Sequence, residues 1–189
     1  MKNLMILGAL LAAAWIPATH AGEIEDRTQA SRMAVKSFFG SLKGELVGAM
    51  KAGGPRHAIQ ICNMKALGIA KQVSGEKGWR VARTSLKLRN PSNAPDAWEE
   101  SVLKDFDARK RAGEDPAKME YAEIVERNGT REFRYMKAIP TAEVCTKCHG
   151  GTIDGGVEEK LAELYPTDKA RGYRKGDIRG AFTITQPMQ

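Results

Sequence analysis

The chemistry in this sequence is concentrated in five consecutive residues, Cys145-Thr146-Lys147-Cys148-His149. Two thiols two residues apart can each add to one vinyl group of a porphyrin. The adjacent imidazole is then held under the iron as its proximal ligand. The spacing therefore reads as the covalent attachment site of one haem c. Three other chemistries share these residue types. A redox-active disulfide would need a thioredoxin-like βαβ context, which the flanking sequence does not offer. A Cys3His zinc site would need Cys62 as its fourth ligand. A plain structural disulfide would leave His149 without a role.

The compartment favours haem. Lys2 followed by the apolar stretch Leu4 to Ile16, with Ala21 at a plausible cleavage position, reads as a secretory signal over residues 1–21. The apolar run is shorter than the ~20 residues that a bilayer span requires. Export to the periplasm and cleavage are expected, with a retained anchor as the alternative, and c-type haem is attached after export. Residues 22–189 suffice for one domain, and no second apolar run predicts a membrane span in the mature chain. The formal charge of +7, or +6 without Lys2, is spread among acidic residues with no dense basic block. In an exported protein this patterning argues against a nucleic-acid partner and suits propionates or an acidic redox partner. Cys62 is the odd one of three cysteines and has no evident disulfide mate.

The elements that must position these groups follow from periodicity. Val35, Phe38, Phe39, Leu42, Leu46, Val47 and Met50 recur at helical spacing after a polar lead-in, Glu23 to Arg27. Gly53-Gly54 ends that helix, and Pro55 opens a second through Ile59, Cys62, Ala66, Ile69 and Val73, stopping near Ser74-Gly75. A short strand is predicted over 79–86, then an irregular Pro- and Asn-rich turn through Pro95. A third helix begins at the cap Asp96. The strands 121–125 and 132–138 flank Asn128-Gly129, a hairpin signal. After the Cys-His run come a short helix over 157–164, a polar turn-rich segment and a last strand over 178–185. This order predicts an α+β fold with an antiparallel sheet and helices on one side of it.

The second axial position of the iron has several candidates: His57, Cys62 and the methionines 33, 50, 64, 119, 136 and 188. Ala58, Cys62, Ala66 and Ile69 fall on one helix face, so small side chains flank the thiol and leave room for a flat ring. His57 lies roughly 140° away around the helix and reads as an exposed first-turn residue. Arg83, Arg89 and Arg179 are candidates for pairing with propionates, and Tyr173 and Trp98 for core or pocket-wall aromatics. Asn90 and Asn93 suit the irregular turn, and Asp177 a brace for the glycine-rich one beside it.

Several segments together resemble a known family. These are Ala58-Ile59-Gln60-Ile61-Cys62, Arg83-Thr84-Ser85, the stretch Arg89 to Pro95, Trp98-Glu99 and Phe106. Cys145 to Gly150 and the tail Gly172 to Ala181 continue the match. The sequence resembles the single-haem, PAS-like c-type haem domains, which occur as free periplasmic proteins and as sensor modules of histidine kinases and chemoreceptors. The resemblance implies a PAS-like antiparallel sheet with flanking helices, including a long N-terminal helix. It also implies a His149/Cys62 axial pair. With both axial positions filled, turnover chemistry is not expected, and no distal catalytic histidine is in sight. Two functions remain. One is redox or gas sensing with NO or CO as ligand and a membrane sensor protein as partner. The alternative is electron transfer to a redox partner protein.

Overall fold

The computed structural model describes residues 18–127 and 129–188. The expected export signal falls on 1–21; residues 1–17 lie outside the described residues, and 18–21 already belong to the first helix. That helix, α1 (Ala18–Lys77), is two limbs joined by a break at Gly53 and Gly54. Gly54 adopts φ +68°, a backbone that side-chain-bearing residues avoid. A Cβ on Gly53 would sit 2.8 Å from that of His57. Both glycines are therefore required, and Pro55 then starts the second limb. The limbs fold back on each other, and Lys65 pairs with Glu45 across the hairpin at 2.8 Å. The expected polar lead-in, Glu23 to Arg27, is helical, because Arg27 pairs with Glu23 one turn back and reaches Gln186 on the last strand.

Four strands follow the order β1-β4-β3-β2, all antiparallel: β1 (Arg80–Thr84), β2 (Glu120–Arg127), β3 (Thr130–Pro140) and β4 (Ile178–Pro187). The tight β2–β3 connection closes where Arg127 pairs with Thr130, with Gly129 at φ +73°; Asn128 of the expected turn lies outside the described residues. The α+β class and the antiparallel sheet are as expected, but the helices are not confined to one side. On one face, Ala34, Phe38 and Val73 of α1 pack against Phe133, Tyr135, Phe182 and Ile184. On the other, Val102, Leu103 and Phe106 of α2 (Ala97–Arg111) pack against Met119, Met136, Ala138 and Ala181. The two central strands carry apolar side chains at consecutive positions, so both faces need cover.

The start of α2 is fixed by a reciprocal cap. Asp96 accepts the Glu99 N–H at 2.8 Å, and Glu99 accepts the Asp96 N–H at 3.1 Å. Glu99 is fully buried and also accepts bonds from Arg80, Arg134 and Thr183. This buried carboxylate ties α2 to the far face of the sheet, leaving the α1 face to build a pocket.

Beyond β3 lie a turn at Glu143–Cys145, the single helical turn α3 (Thr146–His149) and α4 (Gly155–Leu164). Val157 and Leu161 of α4 pack on Ile59 of α1, which brings the Cys-His run beside the second limb.

Candidate functional site

One cavity, of about 260 Å³, opens between the α1 hairpin and the upper end of the sheet. Ala58, Cys62 and Ala66 line it from the second limb, and Leu46 and Met50 from the first. Cys145, Cys148 and His149 line it from the opposite side, together with Arg83, Arg89 and Arg179. Of the three donors of the Cys-His run, Cys62, the three arginines and Tyr173, the fold thus gathers seven of eight in one cavity, from five separate stretches of chain. The eighth, Tyr173, stands behind the imidazole rather than in the cavity wall, edge-on to His149 at 6.2 Å between ring centroids. Ile69, expected on the thiol face, packs instead near the core of the sheet.

Backbone bonding holds the Cys-His run from behind. Arg89 Nη2 donates to the Cys148 carbonyl, and the Tyr173 and Gly172 N–H groups donate to the carbonyls of His149 and Gly150 at 2.9 Å each. Arg89 is in turn anchored to Asp168 at 3.0 Å, a carboxylate only 2 % exposed. Arg89 is thus a brace for the loop as much as a lining cation. Its Nε is buried with no partner.

The His149 imidazole is prepared as a ligand. Nδ1 lies 2.9 Å from the Ala170 carbonyl oxygen, which can only accept, so the proton sits on Nδ1 and Nε2 keeps its lone pair. Arg179 Nε, 3.2 Å from the same Nδ1, cannot also donate to it, which leaves that N–H available to an anion in the cavity. Burial, together with the fields of Arg179 and Arg89, pulls the imidazole pKa down to about 2, against a smaller opposing effect of the Ala170 bond. The ring is therefore neutral at any physiological pH. Across the cavity, burial raises the Cys62 thiol, while Arg83 and Arg89 pull the other way and do not overcome it. The Cys148 thiol is likewise raised by burial.

Arg179 reaches the cavity through a fault in the sheet. Ile139 pairs with Gly180, but Pro140 pairs with Ile178, so Arg179 is an extra residue. Such a bulge re-aims its side chain, and Ser85 pins the residue at both ends, donating to its carbonyl at 2.8 Å and accepting Nη1 at 2.9 Å. A Cβ at Gly180 would collide with the Thr84 carbonyl, so the close approach of β1 here needs glycine. Arg83 lies over the Phe38 ring at 5.9 Å. Among the described residues, neither Arg83 nor Arg179 forms an ion pair. Burial lowers both guanidinium pKa values, though arginine stays charged. Two uncompensated cations in one cavity favour an occupant with acidic arms.

Other candidates fall elsewhere. His57 is half-buried against Gly53 rather than exposed, and it does not line the cavity. Met33 and Met64 are exposed, and Met119, Met136 and Met188 are buried in the sheet's cores; Met50 alone of the six candidate methionines lines the cavity. Trp98 is not a pocket wall: it lies on the opposite face under Arg134, 4.2 Å from its ring, and donates to Glu123. Asn90 caps its turn by accepting the Ser92 N–H, and Asp177 braces the glycine-rich turn by accepting the Arg174 N–H, both as expected. Sequence reasoning missed Asp168, the Ala170 carbonyl and the cavity residue Tyr165. All three sit in the segment read only as polar and turn-rich, where no periodicity marks a role.

Among the described residues, no three His, Cys, Asp or Glu side chains cluster tightly enough to hold a bare metal ion. The donors stand around a gap instead of meeting at a point, which argues against the Cys3His zinc arrangement. The same residues include no helix long and apolar enough to cross a membrane.

Fold and site together define a class: a PAS-like α+β domain whose sheet, long helix hairpin and Cys-x-x-Cys-His turn wall one cationic pocket. The chain belongs to the Tll0287-like family, whose profile matches residues 16–187, and this bears out the resemblance read from the sequence. Among solved structures it is similar to the cyanobacterial haem protein Tll0287. The two are 24% identical with a TM-score of 0.59, over 92% of this chain and 98% of that one. No curated protein matches the chain.

Proposed function

We propose that this protein is an exported single-haem c-type cytochrome that senses redox state or a small gas in the periplasm. Cys145 and Cys148 attach the haem, His149 is the proximal ligand and Cys62 the distal one. One observation carries this reading: the Cys-x-x-Cys-His run and a lone thiol face each other across a cavity that also holds two unpaired arginines. The haem character of the family relative Tll0287 supports it.

The residues fit such a group. The orphaned Nε of Arg89 and the unpaired Arg83 and Arg179 await acceptors, as two propionates would supply. Leu67 and Val144, 42% and 47% exposed, are apolar side chains at the cavity lining that a macrocycle would cover. Haem iron, when bound, supplies a one-electron couple. The chain's own residues set its bias: a thiolate at Cys62 favours the oxidised state, and neutral His149 is held in register by Ala170 and Tyr173. Sensing requires a two-state element, and the glycine break eight residues before Cys62 offers one. Release of Cys62 on reduction would open that side of a bound haem to NO or CO.

The test is absorption spectroscopy with CO added to the reduced protein. CO binding after loss of Cys62 supports sensing. A reduced protein that keeps both ligands and ignores NO and CO defeats it and leaves electron carriage to a partner protein.

A further inference from the structure

Met50 shares the cavity with Cys62 but sits on the other limb of α1. The Glu45–Lys65 pair joins the two limbs, and counting back along the antiparallel hairpin from it puts Leu46 at the level of Ala66 and Met50 at the level of Cys62. All four side chains line the same wall. The cavity lining therefore includes two sulfur donors, a thiol on one limb and a thioether on the other.

From this placement we infer that Met50 is a second distal ligand, which takes the position Cys62 gives up when the haem is reduced. The inference rests on the His149/Cys62 reading above. A thiolate is the better donor to ferric iron and a thioether the better donor to ferrous iron, so one added electron reverses their order. The exchange balances simply. One electron arrives from a one-electron donor, the bond to Cys62 breaks, the departing sulfur takes one proton from water, and the neutral Met50 sulfur forms the new bond. His149 need not move, since its Nδ1–H stays on Ala170. Met50 can make the move because its side chain has three rotatable bonds and its backbone lies three residues before the break at Gly53. Exchange of one limb's donor for the other's gives the hairpin two states set by the redox state.

The experiment uses the full haem-loaded protein, with Met50→Leu as a near-isosteric variant and Met64→Leu as an exposed control. Proton NMR of the dithionite-reduced protein reads the ligand through the far-upfield methyl resonance of an iron-bound methionine. That resonance is expected in the wild type and in Met64→Leu, and absent from Met50→Leu. If Met50 occupies about nine in ten reduced molecules, CO affinity rises about tenfold in Met50→Leu. An unchanged ferric paramagnetic resonance spectrum in Met50→Leu certifies its fold. No methionine resonance in the reduced wild type, or its survival in Met50→Leu, overturns the exchange while thiolate-type ferric spectra leave the underlying ligation standing. A methionine-ligated ferric state, abolished by Met50→Leu and indifferent to Cys62→Ala, overturns both.

Discussion

At the scale of single residues, the site is organised by which groups have partners and which do not. Arg89 is bonded to Asp168 and to the Cys148 carbonyl, while Arg83 and Arg179 have no carboxylate. The three cations should therefore respond differently to removal. Arg89→Ala removes the closer of the two guanidinium partners of the buried Asp168, leaving Arg171 at 3.4 Å, and also the bond to the Cys148 carbonyl; it is expected to cost about 1–3 kcal/mol in a thermal or urea melt. Arg83→Gln and Arg179→Gln should cost far less stability. Each removes a positive charge from the cavity lining and, with the proposed haem bound there, is expected to lower its reduction potential by tens of millivolts, read by a spectroelectrochemical titration. Equal destabilisation by all three, with no change of potential, would mean that none of them faces an anion. The Cys-x-x-Cys-His run was legible at this scale because its spacing is its chemistry. The Ala170 carbonyl that sets the His149 tautomer was not, since a backbone oxygen has no signature in sequence.

At the scale of elements, the hairpin break and the clamp on the long helix do most to position the thiol. The break was readable, because Gly53-Gly54-Pro55 allows little else. Gly54→Ala places a side chain at φ +68° and is expected to destabilise the protein by about 1–2 kcal/mol, with a weakened thiolate signature if the second limb swings. The clamp was not readable. Glu120 at the head of β2 accepts from Arg32 of α1 and from the Tyr135 hydroxyl, groups far apart in the chain. The Arg32 bonds hold its carboxyl below the ordinary value of 4.5 against the opposing effect of burial, with help from Tyr135 and Lys137. A carboxyl lowered on folding stabilises above its unfolded value, and that stability is lost as pH falls through the folded value. Glu120→Gln should thus be less stable than wild type at pH 7 by about 1–2 kcal/mol, and the gap should close toward pH 3. Urea melts at the two pH values measure this; a gap that persists in acid rules out the charge as its source. The same scale shows why helices on one face was the wrong expectation. The alternation of β4 is broken by the extra residue Arg179, and β3 is apolar on both faces. A bulge leaves no pattern in composition, yet it puts Arg179 in the cavity.

At the scale of the whole molecule, the sheet is a partition. The α2 face is closed by the buried Glu99 network, and the α1 face holds the cavity between the glycine-broken hairpin and a braced loop. On the proposed ligation, this asymmetry puts the ligand to be lost on the Cys62 side and the braced one on the His149 side. It predicts that amide exchange in 50–66 speeds up on reduction while residues 148–150 and 168–173 stay protected. Uniform exchange in both redox states would point to electron carriage without a switch. The central claim is that Cys62 and His149 hold one covalently attached haem between them. It is tested most directly by the ferric paramagnetic resonance spectrum of wild type beside Cys62→Ala. The account predicts a low-spin, thiolate-type spectrum that disappears in the variant, with the haem still bound through Cys145 and Cys148. An unchanged spectrum in Cys62→Ala would contradict it.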